Sequence, residues 1–204
     1  MVNSLLLSTG AIVGIVLGVV FLLLLIVAIC IVVWWINTRN DFVRQKNKVE
    51  EAWATIDVYH KKRYDLIPNL VETVKGFASH ESETLKAVVA ARNIAVGAKT
   101  TADKVAAESG LTNSLKTFFS AVSENYPQLQ ANTNFLDLQN QLKNIEGELE
   151  SARRYYNGTV KTFNTKLDLF PANIVAKRMG SEYEARPYFE LDDETERKNV
   201  KVQF

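Results

Sequence analysis

The chain has 204 residues, of which 47% are hydrophobic and 23% are charged, and its formal net charge at pH 7 is +1. This near-neutral balance argues against a general nucleic-acid binder, whose domain would be strongly basic. The single cysteine, Cys30, excludes a disulfide bond within the chain. The length suits one small domain together with one additional segment.

The first predicted element is a transmembrane helix over residues 11–36. The stretch AIVGIVLGVVFLLLLIVAICIVVWWI contains 26 residues and no charged side chain. A helix of this length spans roughly 39 Å, which exceeds the ~30 Å hydrocarbon core of a bilayer. A cleaved signal peptide is the poorer interpretation, because the apolar run is too long and no Lys or Arg precedes it.

The flanks of this helix predict its orientation. Residues 1–10 carry no charged side chain, whereas Arg39, Arg44, Lys46 and Lys48 follow the helix closely. The positive-inside rule therefore puts the N-terminus outside and the rest of the chain in the cytoplasm. The predicted location is the inner (cytoplasmic) membrane, crossed once.

Three glycines repeat every four residues near the start of the transmembrane helix, at Gly10, Gly14 and Gly18. A small-xxx-small pattern allows two membrane helices to approach closely, so this face predicts self-association. The alternative is that glycine is simply common in membrane helices.

Helical spacing continues beyond the membrane without a linker. Apolar residues recur at intervals of three and four from Phe42 to Phe77, and no Gly or Pro interrupts residues 37–67. Two positions on this apolar seam are polar, His60 and Arg63. A buried Arg63 requires a charged partner. The sequence does not name that partner, and two carboxylates, Glu146 and Glu150, flank the opposing apolar stripe.

Pro68 lies inside this helical pattern. A proline at this position removes the backbone donor to the carbonyl of Tyr64 and crowds the turn. We therefore predict that the helix bends here, and that Asp65 and Asn69 bond to the disturbed turn.

Three further helices are predicted in the soluble part. The second runs from about Glu81 to about Ala107 and buries a series of small and branched residues, and ESGLTNS at 108–114 reads as a turn before a short third helix. The series expected to be buried in the second helix comprises Leu85, Val88, Val89, Ala95 and Val96.

The last long helix follows the connection NYPQLQAN and ends at Pro171. Its apolar stripe, which runs from Phe135 to Phe170, predicts an intramolecular core, and the alternative is a parallel coiled coil with another chain. A short helix stopped by Gly180 follows. Residues 181–204 have no clear period and carry seven acidic against four basic side chains.

Strand-like alternation is missing, so the predicted fold is all-α: an N-terminal transmembrane helix that continues into an up-and-down bundle of about four helices. The predicted divisions are an extracytoplasmic N-terminus (1–10), the transmembrane helix (11–36), a cytoplasmic helical bundle (37–180) and an acidic C-terminal tail (181–204).

The search for catalytic, cofactor or metal sites finds none. The sequence has no glycine-rich phosphate loop, no G-x-S-x-G and no H-E-x-x-H. A di-iron bundle would need two Glu-x-x-His motifs. The nearest pattern is one Asp57-x-x-His60, for which a histidine bonded to a helical neighbour is the simpler interpretation.

Four blocks of sequence resemble the bacterial LemA family. They are NKVEEAWATIDVYHKKRYDLIPNLVETVKGFASHE, ENYPQLQANTNFLDLQNQL, ESARRYYNGTVKTFNTKL and FPANIVAKRMG with PYFE. The resemblance covers roughly residues 38–190 and implies one N-terminal membrane helix, a four-helix soluble domain and no catalytic residues. It also implies a role related to that of relatives that organise the membranes of bacterial organelles.

The leading hypothesis from the sequence is a non-enzymatic scaffold, anchored in the lipid membrane, that forms a homo-oligomer and organises or remodels that membrane. The alternative is an adaptor that recruits or regulates a membrane-protein partner such as a protease or transporter. The residues proposed to mediate interactions are Gly10, Gly14, Gly18, Arg63, Tyr64, Asp65, Pro68 and Asn69.

Overall fold

The computed structural model describes residues 9–75, 77 and 83–189 of the chain, and this part is all-α, with no strand. The five helices are α1 (Thr9–Lys75), α2 (Glu83–Gly97), α3 (Thr101–Asn125), α4 (Thr133–Asp168) and α5 (Ala172–Ala176). Two short 3-10 turns, Pro127–Ala131 and Ser181–Tyr183, follow α3 and α5. The predicted fold class is confirmed.

The N-terminal part of α1 is long and apolar enough to cross a membrane. Large apolar side chains from Ile12 to Ile36 are exposed, and none of the most apolar stretch is buried within the described chain. The helix runs without interruption into residues whose apolar seam is buried, and it keeps Pro68 in its interior. The bend predicted at Pro68 stays a prediction.

Most of the apolar seam predicted along α1 is buried, including the polar His60 and Arg63. Two predicted members differ, since Trp53 is only partly buried and Phe77 is exposed, and Ala52, beside Trp53, is buried without having been predicted. The buried seam comprises Phe42, Val49, Ala52, Ile56, His60, Arg63, Ile67, Leu70 and Val74.

The predicted boundary between the second and third helices is wrong. The break falls at residues 98–100, and 108–114 lie inside α3 rather than in a turn. Thr100 caps α3 because its Oγ1 accepts a hydrogen bond from the backbone N–H of Asp103. Gly110 is tolerated within the helix, since the burial of neighbouring Leu111 outweighs a glycine penalty of about 1 kcal/mol. Val96 is exposed rather than buried.

The stripe of α4 is buried within the single chain along most of its length. Leu138, Leu149, Tyr156 and Val160 are buried, whereas Phe170, at the end of the predicted stripe, is exposed. An intramolecular core therefore accounts for these positions without a second chain.

The chain forms two compact units, one drawn from Met1–Lys48 and Thr162–Arg186, the other from Val49–Lys161 and Pro187–Phe204. In the first, Phe42 packs edge-on against Phe163 with ring centroids 6.4 Å apart. In the second, α1, α2, α3 and α4 share one hydrophobic core. The largest members of that core are Ile67, Leu70, Leu85, Leu111, Leu115, Phe118, Leu129, Phe135, Leu138 and Leu142.

Candidate functional site: a buried ionic network

A fully buried carboxylate lies at the centre of the second unit. Glu108 of α3 has no solvent exposure, and its two oxygens accept hydrogen bonds from different groups on α1. The hydroxyl of Tyr64 donates a short bond to Oε1, and Nη1 of Arg63 donates to Oε2 at 3.3 Å. Nε2 of His60 lies 3.7 Å from the same Oε2. Three side chains from adjacent turns of α1 therefore face one side chain of α3.

Arg63 extends this contact to α4. Its Nη1 lies 3.1 Å from Oε2 of Glu146, and its Nη2 donates to Oγ1 of Thr112 at 2.9 Å. Glu146 in turn lies 3.5 Å from Nη1 of Arg153, also on α4. The buried ionic network, which we define as His60, Arg63, Tyr64, Glu108, Thr112, Glu146 and Arg153, therefore ties α1, α3 and α4 together.

Burial dominates the electrostatics of the network. Loss of solvent raises the pKa of Glu108, and the bond from Tyr64 together with the charges of Arg63 and Arg153 opposes that rise. Burial and the bond to Glu108 also raise the pKa of Tyr64. Tyr64 therefore remains a neutral donor at physiological pH.

His60 is a neutral histidine in this setting. Burial, together with the positive charges of Arg153, Arg63 and Lys104, lowers its pKa from 6.5 to about 3. Neither of its ring nitrogens has a hydrogen-bond partner in the described chain, so the expected bond to a helical neighbour is not formed. Two cationic side chains of the network thus surround a histidine that has little tendency to take up a proton.

The backbone carbonyl that Pro68 leaves without a helical donor is bonded by a side chain of another helix. Since Pro68 has no N–H, the carbonyl of Tyr64 lacks its usual helical partner. Nε of Arg92, on α2, donates a hydrogen bond to this carbonyl at 3.0 Å. The position that α1 leaves open is therefore used to attach α2.

The two residues expected to bond to the disturbed turn have other contacts. The carboxylate of Asp65 accepts a hydrogen bond from Lys61 at 2.6 Å, one turn earlier. The carbonyl of Asn69 accepts a bond from Oγ1 of Thr73 at 2.8 Å. Arg92 was not identified from the sequence, because its role depends on how α2 packs and no local pattern indicates it.

Replacing Arg92 by Met should destabilise the fold by about 1–3 kcal/mol, because the Tyr64 carbonyl then loses a charge-assisted bond. In a Pro68→Ala background the new backbone N–H restores the helical bond, so the same Arg92 substitution should cost clearly less. Chemical unfolding of the four proteins of this double-mutant cycle measures the coupling. An equal loss of stability in both backgrounds would contradict the bond between Arg92 and the Tyr64 carbonyl. Arg154→Met, which removes one partner of an exposed surface pair, is the matched control.

The glycine face lies in the first unit. Gly10, Gly14 and Gly18 are exposed, and a Cβ atom added at Gly14 or Gly18 would meet no atom within 4 Å. The chain itself therefore leaves this face open to a neighbour.

The chemistry available to the network is structural. Its charged groups bond chiefly to one another, and its central carboxylate has no exposed surface. Across the described ranges, no group of three or more His, Cys, Asp or Glu side chains is placed to hold a metal ion. A buried pair of this kind penalises every arrangement in which one charge loses the other, so it specifies how the helices align.

The fold and this network define a helical-bundle protein whose first helix begins with an exposed apolar segment of membrane-spanning length. The sequence model of the LemA family matches residues 52–204, and the chain belongs to that family. It is 25% identical over 149 residues to Protein LemA of Metamycoplasma hominis, an alignment that covers 71% of this chain and 66% of the relative. The family's description names no enzymatic activity.

Proposed function

We propose that the protein is a non-enzymatic scaffold, anchored in a membrane, that self-assembles and organises or remodels that membrane. The observation that carries this proposal is the exposed apolar surface of α1 from Ile12 to Val33, all of whose large apolar side chains are exposed. In water such a surface is unfavourable at about 25 cal/mol per Å², whereas a bilayer solvates it.

The proposed orientation has the N-terminus outside and the bundle in the cytoplasm, at the inner membrane. Its support is the cluster of Arg39, Arg44, Lys46 and Lys48 directly after the apolar segment. Two of these cations form ion pairs, Arg44 with Asp41 at 3.5 Å and Lys46 with Glu182 at 2.6 Å. Acidic residues contribute little to the positive-inside rule, so these pairs leave the assignment unchanged.

The proposed self-assembly uses the open face at Gly10, Gly14 and Gly18. Without side chains at these positions, two helices can approach until their backbones are in contact, which is how small residues promote association in lipid. The buried ionic network supports a structural role, since its polar groups act on one another.

Self-association of the full chain in lipid nanodiscs or detergent tests this proposal. Energy transfer between donor-labelled and acceptor-labelled copies should report association that Gly14→Leu/Gly18→Leu weakens by at least roughly tenfold, because leucine separates the backbones. Val16→Leu/Val20→Leu is the matched control, with the same spacing on another face of the helix. A strictly monomeric wild-type chain, or equal weakening by both pairs, would contradict the scaffold.

An adaptor for another membrane protein is the second candidate, and an open groove between α2 and α3 favours it. Ala87, Ala90 and Ile94 of α2 and Ala106 and Gly110 of α3 line this groove. Substituting Ala90 by Glu should abolish capture of a partner while leaving self-association unchanged. Loss of self-association instead would assign the groove to assembly.

A further inference from the structure

Asparagines on α4 hold the chain that follows α5 in an extended conformation. In the second unit, the side chain of Asn157 accepts a bond from the backbone N–H of Phe189 at 2.8 Å and donates to its carbonyl at 3.0 Å. In the first unit, Asn164 makes the same two bonds to Arg186, both at 2.9 Å. In each case one side-chain amide makes the two backbone hydrogen bonds that a residue of a neighbouring β-strand would make.

The extended segment leads into the cleft between α3 and α4. The hydroxyl of Tyr156 donates to the carbonyl of Pro187 at 3.0 Å, and the ring of Phe189 lies 4.9 Å from the guanidinium of Arg153, one turn nearer the start of α4 than Asn157. Pro187 and Tyr188 line a cavity with the first turns of α3, whose last lining residue is Ser109. The extended segment therefore runs alongside α3 in the direction of the N-terminal end of α4.

A second groove lies further along the same two helices, beginning at Thr112 of α3 and Glu146 of α4. Its walls are Thr112, Leu115, Lys116 and Phe119 of α3 and Gln139, Asn140, Leu142, Lys143 and Glu146 of α4, with Arg63 at its base. Glu146 and Arg63 pair with each other, at 3.1 Å. Lys116 and Lys143 have no ion-pair partner among the described residues, so this basic groove carries excess positive charge.

The chain beyond Phe189 has complementary charge and sufficient length. Residues 190–196, which lie outside the described part, read ELDDETE and carry five carboxylates before the first cation, Arg197. From Asn157 to Lys143 the helix rises about 21 Å, a distance that about six extended residues cover. An extended continuation of about six residues from Phe189 would therefore be long enough to bring Glu194 and Glu196 to the level of Lys143 and Lys116.

We propose that the acidic segment 190–196 docks in cis into the basic groove of its own chain. The bonds from Asn164 and Asn157 to Arg186 and Phe189 set the direction in which the chain continues. The groove offers apolar side chains and the side-chain amides of Gln139 and Asn140, and its two lysines favour an acidic segment. This surface is separate from the glycine face and from the groove between α2 and α3. The docking is therefore independent of the proposed function.

Spin-label distance measurements on the full chain in detergent test the proposal. Labels are placed on cysteines introduced by Thr195→Cys and Asn113→Cys in a Cys30→Ala background, and excess unlabelled chain is added to dilute contacts between copies. Docking predicts a short, narrow distance distribution. Lys116→Glu/Lys143→Glu should abolish the short distance, and adding Glu194→Lys/Glu196→Lys should restore it.

Lys62→Glu/Lys99→Glu is the matched control, because it makes the same change in net charge at two exposed lysines outside the groove. This variant should retain the short distance, and circular dichroism should confirm that every variant is folded. A broad distribution in the unaltered chain, or a short distance that survives Lys116→Glu/Lys143→Glu, overturns the proposal. Disappearance of the short distance on dilution also overturns it, since the segment would then bind another copy.

Discussion

Glu108→Ala should destabilise the chain by about 3 kcal/mol, because the substitution leaves the buried guanidinium of Arg63 with a single carboxylate and removes the acceptor of the Tyr64 hydroxyl. Glu108→Gln keeps the shape and an acceptor oxygen, so we expect a smaller cost of about 1–2 kcal/mol. Guanidinium unfolding of the detergent-solubilised protein, followed by circular dichroism, measures both free energies.

The matched control for this prediction is Glu150→Ala. Glu150 pairs with Arg154 on α4, and both side chains are about two thirds exposed. Exposed pairs one helical turn apart contribute about 0.3–0.5 kcal/mol. A Glu108→Ala protein as stable as the Glu150→Ala protein would show that the buried network does not hold the helices.

Lowering the pH should destabilise the chain through His60. In the folded chain the pKa of His60 is lowered from 6.5 to about 3, whereas the unfolded histidine titrates at its ordinary value. Below pH 6.5 the unfolded chain therefore binds a proton that the folded chain excludes, and stability falls as the pH drops from about 6.5 towards 3. At about 1.4 kcal/mol per pH unit, the loss reaches roughly 2 kcal/mol by pH 5.

The groups that face His60 come from three helices. Arg63 and Tyr64 lie on its own helix, Lys104 and Glu108 on α3, and Arg153 on α4. Glu108 acts in the opposite direction, because its raised pKa favours the folded chain at low pH and that contribution is lost as the pH rises through the folded pKa. The test therefore compares each variant with the wild type instead of reading one pH profile alone.

His60→Leu isolates the histidine. The variant keeps an apolar side chain at a position where neither ring nitrogen is bonded, so it should fold, and its stability should decline less than that of the wild type between pH 7 and pH 5. Unfolding free energies at the two pH values measure the difference. Identical declines, or a His60 NMR titration with a midpoint near 6.5, would contradict the buried neutral histidine.

The long helices could be predicted from the sequence because spacing alone determines their buried faces. The seam of α1, including the polar His60 and Arg63, and the stripe of α4 follow the 3/4 rule and are buried as expected. The partner of Arg63 on α4 does not follow from spacing, because Glu146 and Glu150 both flank the opposing stripe; the folded chain pairs Arg63 with Glu146 and leaves Glu150 to Arg154.

The central carboxylate does not follow from this rule, because the sequence predicts a turn where α3 continues. The cluster around Gly110 has the composition of a loop, which places Glu108 in a connection. The signal that was present is the series 108, 111, 115, 118 and 122, which extends the apolar spacing of α3 back to Glu108. Thr100 and Asp103, three residues apart, mark where that helix begins.

The bond from Arg92 to the Tyr64 carbonyl has no local signal of any kind. Pro68 indicates that a carbonyl lacks its donor, but the residue that supplies the donor depends on the packing of α2. Spacing can identify a residue's face, whereas its partner across a helix interface depends on the folded geometry.

The ionic centre also bears on misfolding. Apolar stripes such as those of α1 and α3 remain apolar when one helix slides past the other by a full turn, so hydrophobic contact alone distinguishes poorly between alignments. A slide of about 5.4 Å would carry the guanidinium of Arg63 away from Glu108 and leave both charges in an apolar interior. Misaligned intermediates are thereby disfavoured while the chain is still searching for its final packing.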